Sequence, residues 1–97
     1  LLEQLVLSRN KIETLDDNAF QIRNSIDKIP LNILDLERNS ISTIPWKSLL
    51  DMTHLEILKL DSNMIRSLDI GALKYDENIQ YNERIHIKVL NLTNNKI

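Results

Sequence analysis

Residues 55–65 read LEILKLDSNMI, and the same layout returns at 31–41 as LNILDLERNSI, at 2–12 as LEQLVLSRNKI and at 87–97 as IKVLNLTNNKI. Each copy has a branched aliphatic residue, two variable residues, an aliphatic, one variable, an aliphatic, two variable, an asparagine, one variable and an aliphatic. With 17 Leu, 14 Ile, 2 Val and 11 Asn in 97 residues, chance yields roughly 0.1 such matches against the four found, so the repeat is a design feature of the chain. Within each copy the pattern alternates, which is the period of a strand. Leu5 and Leu7 therefore point one way and Val6 the other, as do the pairs Leu34/Leu36, Leu58/Leu60 and Leu90/Leu92 about their central residues. One such strand cannot bury its leucines alone. Stacked copies can, by forming a parallel sheet with a continuous aliphatic core.

Outward from the motif, the rest of the chain is what such an array needs. The apolar residues are almost all aliphatic, the aromatics being Phe20, Trp46, Tyr75 and Tyr81, which suits uniform repeated layers. At 97 residues a single domain is the upper bound. The 12 basic and 14 acidic residues are interspersed, for a net charge of −2. That balance argues against a nucleic-acid binder or a basic membrane-surface protein and points to protein partners. There is no cysteine, so nothing reports the redox compartment. No apolar run approaches a membrane span, so direct membrane insertion of this segment is not expected. Leu1-Leu2-Glu3 shows neither an initiator Met nor a signal-peptide layout, and the chain reads as an internal or processed piece.

These residues resemble the leucine-rich repeat family, and the resemblance runs from Leu2 to Ile97. Repeat starts near residues 2, 31, 55 and 87 are spaced by 29, 24 and 32 residues, the last repeat being truncated. The middle spacing is the length of the family's typical subclass. Leu15, Ile44 and Leu68 fall fourteenth in their repeats, and Ala19-Phe20, Ser48-Leu49 and Ala72-Leu73 fill that subclass's small-then-large pair. The resemblance implies an α/β-type solenoid spanning 1–97, a right-handed superhelix with a parallel β-sheet on its concave side. Its convex side should hold mostly irregular or short 3-10 segments, with room for a single helical turn. It also implies an interaction module in an extracellular or cell-surface protein of receptor-ectodomain or adhesion type, with a cytosolic scaffold as the alternative.

Asn10, Asn39, Asn63 and Asn95 come where each strand turns inward and its backbone loses ladder partners. An amide side chain both donates and accepts, so these four are assigned to structure, bonding the main chain of their own and the neighbouring turn. The outward strand positions should form columns: Gln4, Ile33, Ile57 and Val89; then Val6, Asp35, Lys59 and Asn91; then Ser8, Glu37, Asp61 and Thr93; then Arg9, Arg38, Ser62 and Asn94. Among them Ile33, Ile57 and Val89 offer apolar contact area, while Asp35, Glu37, Arg38, Lys59, Asp61 and Asn91 offer selectivity toward a protein ligand or co-receptor. The competing reading is that β-branched residues favour strands and charges keep the face soluble. The outermost leucines, Leu2/Leu5 and Leu90/Leu92, should be partly uncovered because no polar cap follows them.

Other features carry less. The insertion Lys74–Arg84 holds Tyr75 and Tyr81 and reads as a solvated loop before it reads as a second recognition element. The stretch from Ile22 to Lys28 reads as an extra packed turn, and Trp46 as a convex-side packing residue. His54 and His86 each stand one residue before a strand, and stacked imidazoles could form a pH-sensitive rim. No third ligand of fixed spacing accompanies them, so no metal site and no cofactor is expected. Asn91-Leu92-Thr93 is an N-glycosylation sequon, making Asn91 a candidate glycan acceptor. An enzyme is not expected either. There is no Cys nucleophile, the lone glycine is Gly71, and no Ser/His/acid grouping is brought together by the repeats.

Overall fold

A computed structural model describes residues 4–16, 31–49, 52, 54–68 and 87–97. Four short strands, β1 (Gln4–Val6), β2 (Ile33–Asp35), β3 (Ile57–Lys59) and β4 (Val89–Asn91), lie side by side in chain order. All three pairings are parallel, with Leu5, Leu34, Leu58 and Leu90 facing one another in register. Parallel neighbours require a long return between strands, which is what the spacing of 24 to 32 residues supplies. The sheet is open and the chain advances by one strand per repeat, as in a solenoid.

Backbone pairing outlasts the strands themselves. Leu7 N–H donates to Asp35 O at 2.8 Å, Leu36 N–H to Lys59 O at 2.9 Å and Leu60 N–H to Asn91 O at 2.9 Å. Two residues later Arg9, Arg38 and Ser62 donate in turn to Glu37, Asp61 and Thr93. At that point each repeat leaves the strand direction through a left-handed residue: Arg9 at φ 59°, Arg38 at 56°, Ser62 at 58° and Asn94 at 56°. None is glycine, so each of the first three accepts a backbone cost of about 1–2 kcal/mol that asparagine tolerates more readily.

The core lies behind the sheet. Leu34, Leu36, Leu58 and Leu60 are fully buried, with Leu31, Ile41, Leu55 and Ile65 packed among them. At about 2 kcal/mol for each fully buried aliphatic side chain, this layer supplies the main driving force for the stack. On the returning side, one α-helical turn, α1 (Trp46–Leu49), takes the place of a 3-10 segment in the repeat that starts at Leu31. Pro45 precedes it, with φ already set for a helix, and its carbonyl accepts the Leu49 N–H at 3.1 Å. The turn is tied to both neighbouring repeats. Ser48 is fully buried and its Oγ donates to Asp16 O at 2.5 Å, while the Trp46 indole Nε1 donates to Leu68 O at 2.6 Å. Trp46 is thus a packing residue on the convex side, as its place after Ile44-Pro45 implies. The stretch 22–28, the insertion 74–84 with both tyrosines, and His86 lie outside the described residues.

Candidate functional site

The asparagine column comes first, because it sets the geometry on which the outer face rests. Asn63 Nδ2 donates to Leu60 O at 3.0 Å and Asp61 O at 3.3 Å in its own turn, and to Leu36 O of the preceding repeat at 2.9 Å. Its Oδ1 accepts the Ile41 N–H, also in the preceding repeat, at 3.0 Å. Asn39 repeats this with Leu36, Glu37, Leu7 and the Ile12 N–H. Asn95 repeats it with Leu92, Thr93, Leu60 and the Ile65 N–H. Asn10, which no described repeat precedes, bonds only within its own turn, to Leu7 O at 2.9 Å and Ser8 O at 3.3 Å. Buried polar groups must be paired, and at Asn39, Asn63 and Asn95 one amide pairs backbone groups of two turns at once. Asn39, Asn63 and Asn95 thus bond strand-end backbone of their own and the preceding turn, and Asn10 that of its own turn alone.

The registers place the outward columns as expected. Gln4, Ile33, Ile57 and Val89 are neighbours across the sheet, and so are Val6, Asp35, Lys59 and Asn91. In the first column Ile33 and Ile57 are half-buried and Val89 is 51% exposed. In the second, Val6 is 53% exposed and Lys59 and Asn91 are partly exposed. Arg38 is exposed, while Glu37 and Asp61 are half-buried. Thus the face offers a central pair of isoleucines bordered by charges of both signs, on a support whose spacing is fixed by backbone pairing.

Asp35 departs from the expectation of an exposed discriminating charge, for it is only 7% exposed. It sits on an interior strand between Val6 and Lys59, and its short side chain folds back so that Oδ1 accepts the Glu37 N–H at 3.1 Å. The carboxylate serves the turn as an Asx motif would, and projects little toward a partner. Asp61 is different again. Its Oδ1 is buried and accepts no hydrogen bond among the described residues. Such an oxygen costs folding free energy where it stands. Sequence reasoning had no signal for this contrast, since both positions read simply as acidic and outward.

At the rim, one strand position before the columns, Lys88 and Glu56 approach to 3.6 Å, a solvent-exposed pair of small energetic weight. His54 is exposed nearby. Among the described residues no group of three or more His, Cys, Asp and Glu could hold a metal ion, and no helix is long and apolar enough to cross a membrane.

A family model described as leucine rich repeat matches residues 29–81, more than half of the chain. No curated protein and no solved structure matches it.

Proposed function

Because the chain belongs to the leucine-rich repeat family, whose members typically act as non-enzymatic protein–protein interaction modules, we propose that its concave sheet face forms part of the partner-binding surface of a larger extracellular or cell-surface protein of receptor-ectodomain or adhesion type. The observation that carries this reading is the half-exposed pair Ile33 and Ile57, held in register on adjacent interior strands and bordered by Glu37, Arg38, Lys59 and Asp61. Apolar area at the centre with mixed charge around it is the anatomy of a protein contact. Val89 and Asn91 continue the two columns on β4, at the border of the patch, while Asp35 supports the turn beneath Glu37. The partner in this reading is a protein ligand or a co-receptor.

Area sets the share of the work. Four strands about 4.8 Å apart, each with about 17 Å of outward face, give a few hundred Å². A stable interface takes about 800 Å² from each partner. This face therefore contributes a portion of a contact that further surface completes. The extracellular placement draws on the 24-residue spacing between Leu31 and Leu55, shared with the family's typical subclass.

The test compares two variants in one binding assay on the parent protein. Lys59→Glu, which reverses a partly exposed charge on the outward face, should weaken binding by about 1–2 kcal/mol and leave the melting temperature nearly unchanged. Loss of binding on replacing Tyr75 and Tyr81 with alanine, with none on Lys59→Glu or Ile57→Ser, would move the contact off the sheet. Labelling of intact cells with an impermeant reagent tests the compartment separately, and a protein that stays unlabelled would sink the cell-surface placement.

A further inference from the structure

The structure assigns Asn91 as an acceptor for an N-linked glycan, one that stands at the β4 side of the concave face and confines a protein partner to the columns of β1–β3. The assignment rests on the extracellular placement above, because the sugar donor is met only along the secretory route. Eleven asparagines occur in the chain, and Asn91 alone is followed by any residue and then Ser or Thr.

What the sequon by itself does not show is whether the folded chain can bear the sugar, and here the described asparagines divide. At Asn10, Asn39, Asn63 and Asn95 the amide nitrogen is committed to main-chain carbonyls. A sugar on any of these would break the turn it holds together. At Asn91 the polarity of use is reversed. Its oxygen is the engaged atom, with Oδ1 accepting the Thr93 N–H at 3.1 Å and the Thr93 hydroxyl at 2.9 Å, while Nδ2 makes no hydrogen bond among the described residues. The two bonds commit the amide oxygen to the turn, so a sugar attached at the nitrogen breaks neither of them. Asn91 is partly exposed, on the outward face of β4 beside Lys59.

The chemistry is a group transfer. Nδ2 forms a bond to the anomeric carbon of the first sugar of a lipid-diphosphate-linked oligosaccharide and loses one proton. The bond from that carbon to the diphosphate oxygen breaks, and the lipid diphosphate leaves with the electron pair. Once attached, the glycan occupies the space in front of Asn91 on the β4 side of the face. Ile33, Ile57 and Arg38, on β2, β3 and the turn after β2, stay open to a partner.

The experiment places the 97-residue chain behind a secretory leader in eukaryotic cells and analyses the protease-protected or secreted product by intact mass and by its shift on enzymatic removal of N-glycans. One glycan is expected, absent from N91Q and from T93A and retained at reduced occupancy in T93S. The glycosylated chain and the T93A chain should unfold within a few degrees of each other, because no hydrogen bond of Nδ2 is given up. A protected product that is bare at Asn91, or one whose folding is lost when the sugar is present, overturns the assignment. Failure of the cell-surface placement shows up elsewhere, as a parent protein unlabelled on intact cells while the leader-driven chain is still modified at Asn91.

Discussion

The turn after β3 and the turn after β1 share the same Leu and Asn motif positions and live under different physics. Leu58 and Leu60 are fully buried, whereas Leu5 and Leu7 are partly open, as is Leu92, and Leu90 is 37% exposed. Asn63 is buried and bonds two turns, whereas Asn10 is exposed and bonds one. Neither difference is written in the residue. It comes from whether a described repeat packs on each side, so in this fold burial and side-chain pairing are properties of the junction between repeats. Backbone conformation behaves otherwise. Arg9 and Arg38, in an outer and an inner turn, hold φ within a few degrees of one another. Dihedral strain is local to the turn, and only packing is collective.

Truncating the core should show the contrast most strongly. Leu58→Ala should cost about 3 kcal/mol, from lost burial and the cavity left between two fixed neighbours, and Leu90→Ala about 1 kcal/mol. Chemical denaturation of both variants is the measurement, and equal losses would mean that the layer at β4 is covered as well as the layer at β3. Next comes the asparagine column. Asn63→Ala strands the Ile41 N–H and the Leu36 and Leu60 carbonyls in a dry interior and should cost about 2 kcal/mol, while Asn10→Ala should cost about 0.5 kcal/mol. Asn32 is exposed and should tolerate alanine. Near-zero effects at Asn63, Asn39 and Asn32 alike would remove the turn role.

Strain should ignore position. A β-branched residue suffers most at positive φ, so Arg9→Val and Arg38→Val should each lower stability by about 1 kcal/mol, and Arg38→Asn should raise it by about half as much. If Arg38→Val costs much more than Arg9→Val, the turn conformation is set by stacking after all. The smallest effect belongs to Asp61. Removing a carboxylate whose buried oxygen is unpaired should leave thermal stability of Asp61→Ala unchanged or higher by at most about 1 kcal/mol, while partner binding weakens. Clear destabilisation would mean that the oxygen has a partner among the residues not described.

Much of this was legible in the letters. The Leu and Asn positions define strand, register and turn together, because a parallel sheet of identical repeats aligns identical positions and leaves one way to stack them. The columns Ile33/Ile57 and Asp35/Lys59 followed from the same step. What stayed hidden depends on three-dimensional surroundings. Arg9, Arg38, Ser62 and Asn94 share a left-handed backbone but no residue type, so no glycine marked the position. Asp35 turns back onto its own loop, as Asn91 does at the same position of β4, because the N–H two residues on is a nearer partner than solvent, which alternation alone cannot distinguish from projection. Met52 is buried without any motif position to announce it.

The asparagine bonds between repeats all run one way, each amide reaching to the repeat before it and none to the repeat after. The array therefore has a grammatical direction, like a sentence in which each word agrees with the one preceding. Deleting a repeat from the trailing side takes away amides that served the remaining chain, and leaves main-chain groups wanting. Deleting one from the leading side leaves amides with nothing to serve, which water can satisfy at an exposed end. Duplication and loss of repeats, the usual way such arrays change length, should accordingly be better tolerated at the leading edge than at the trailing one.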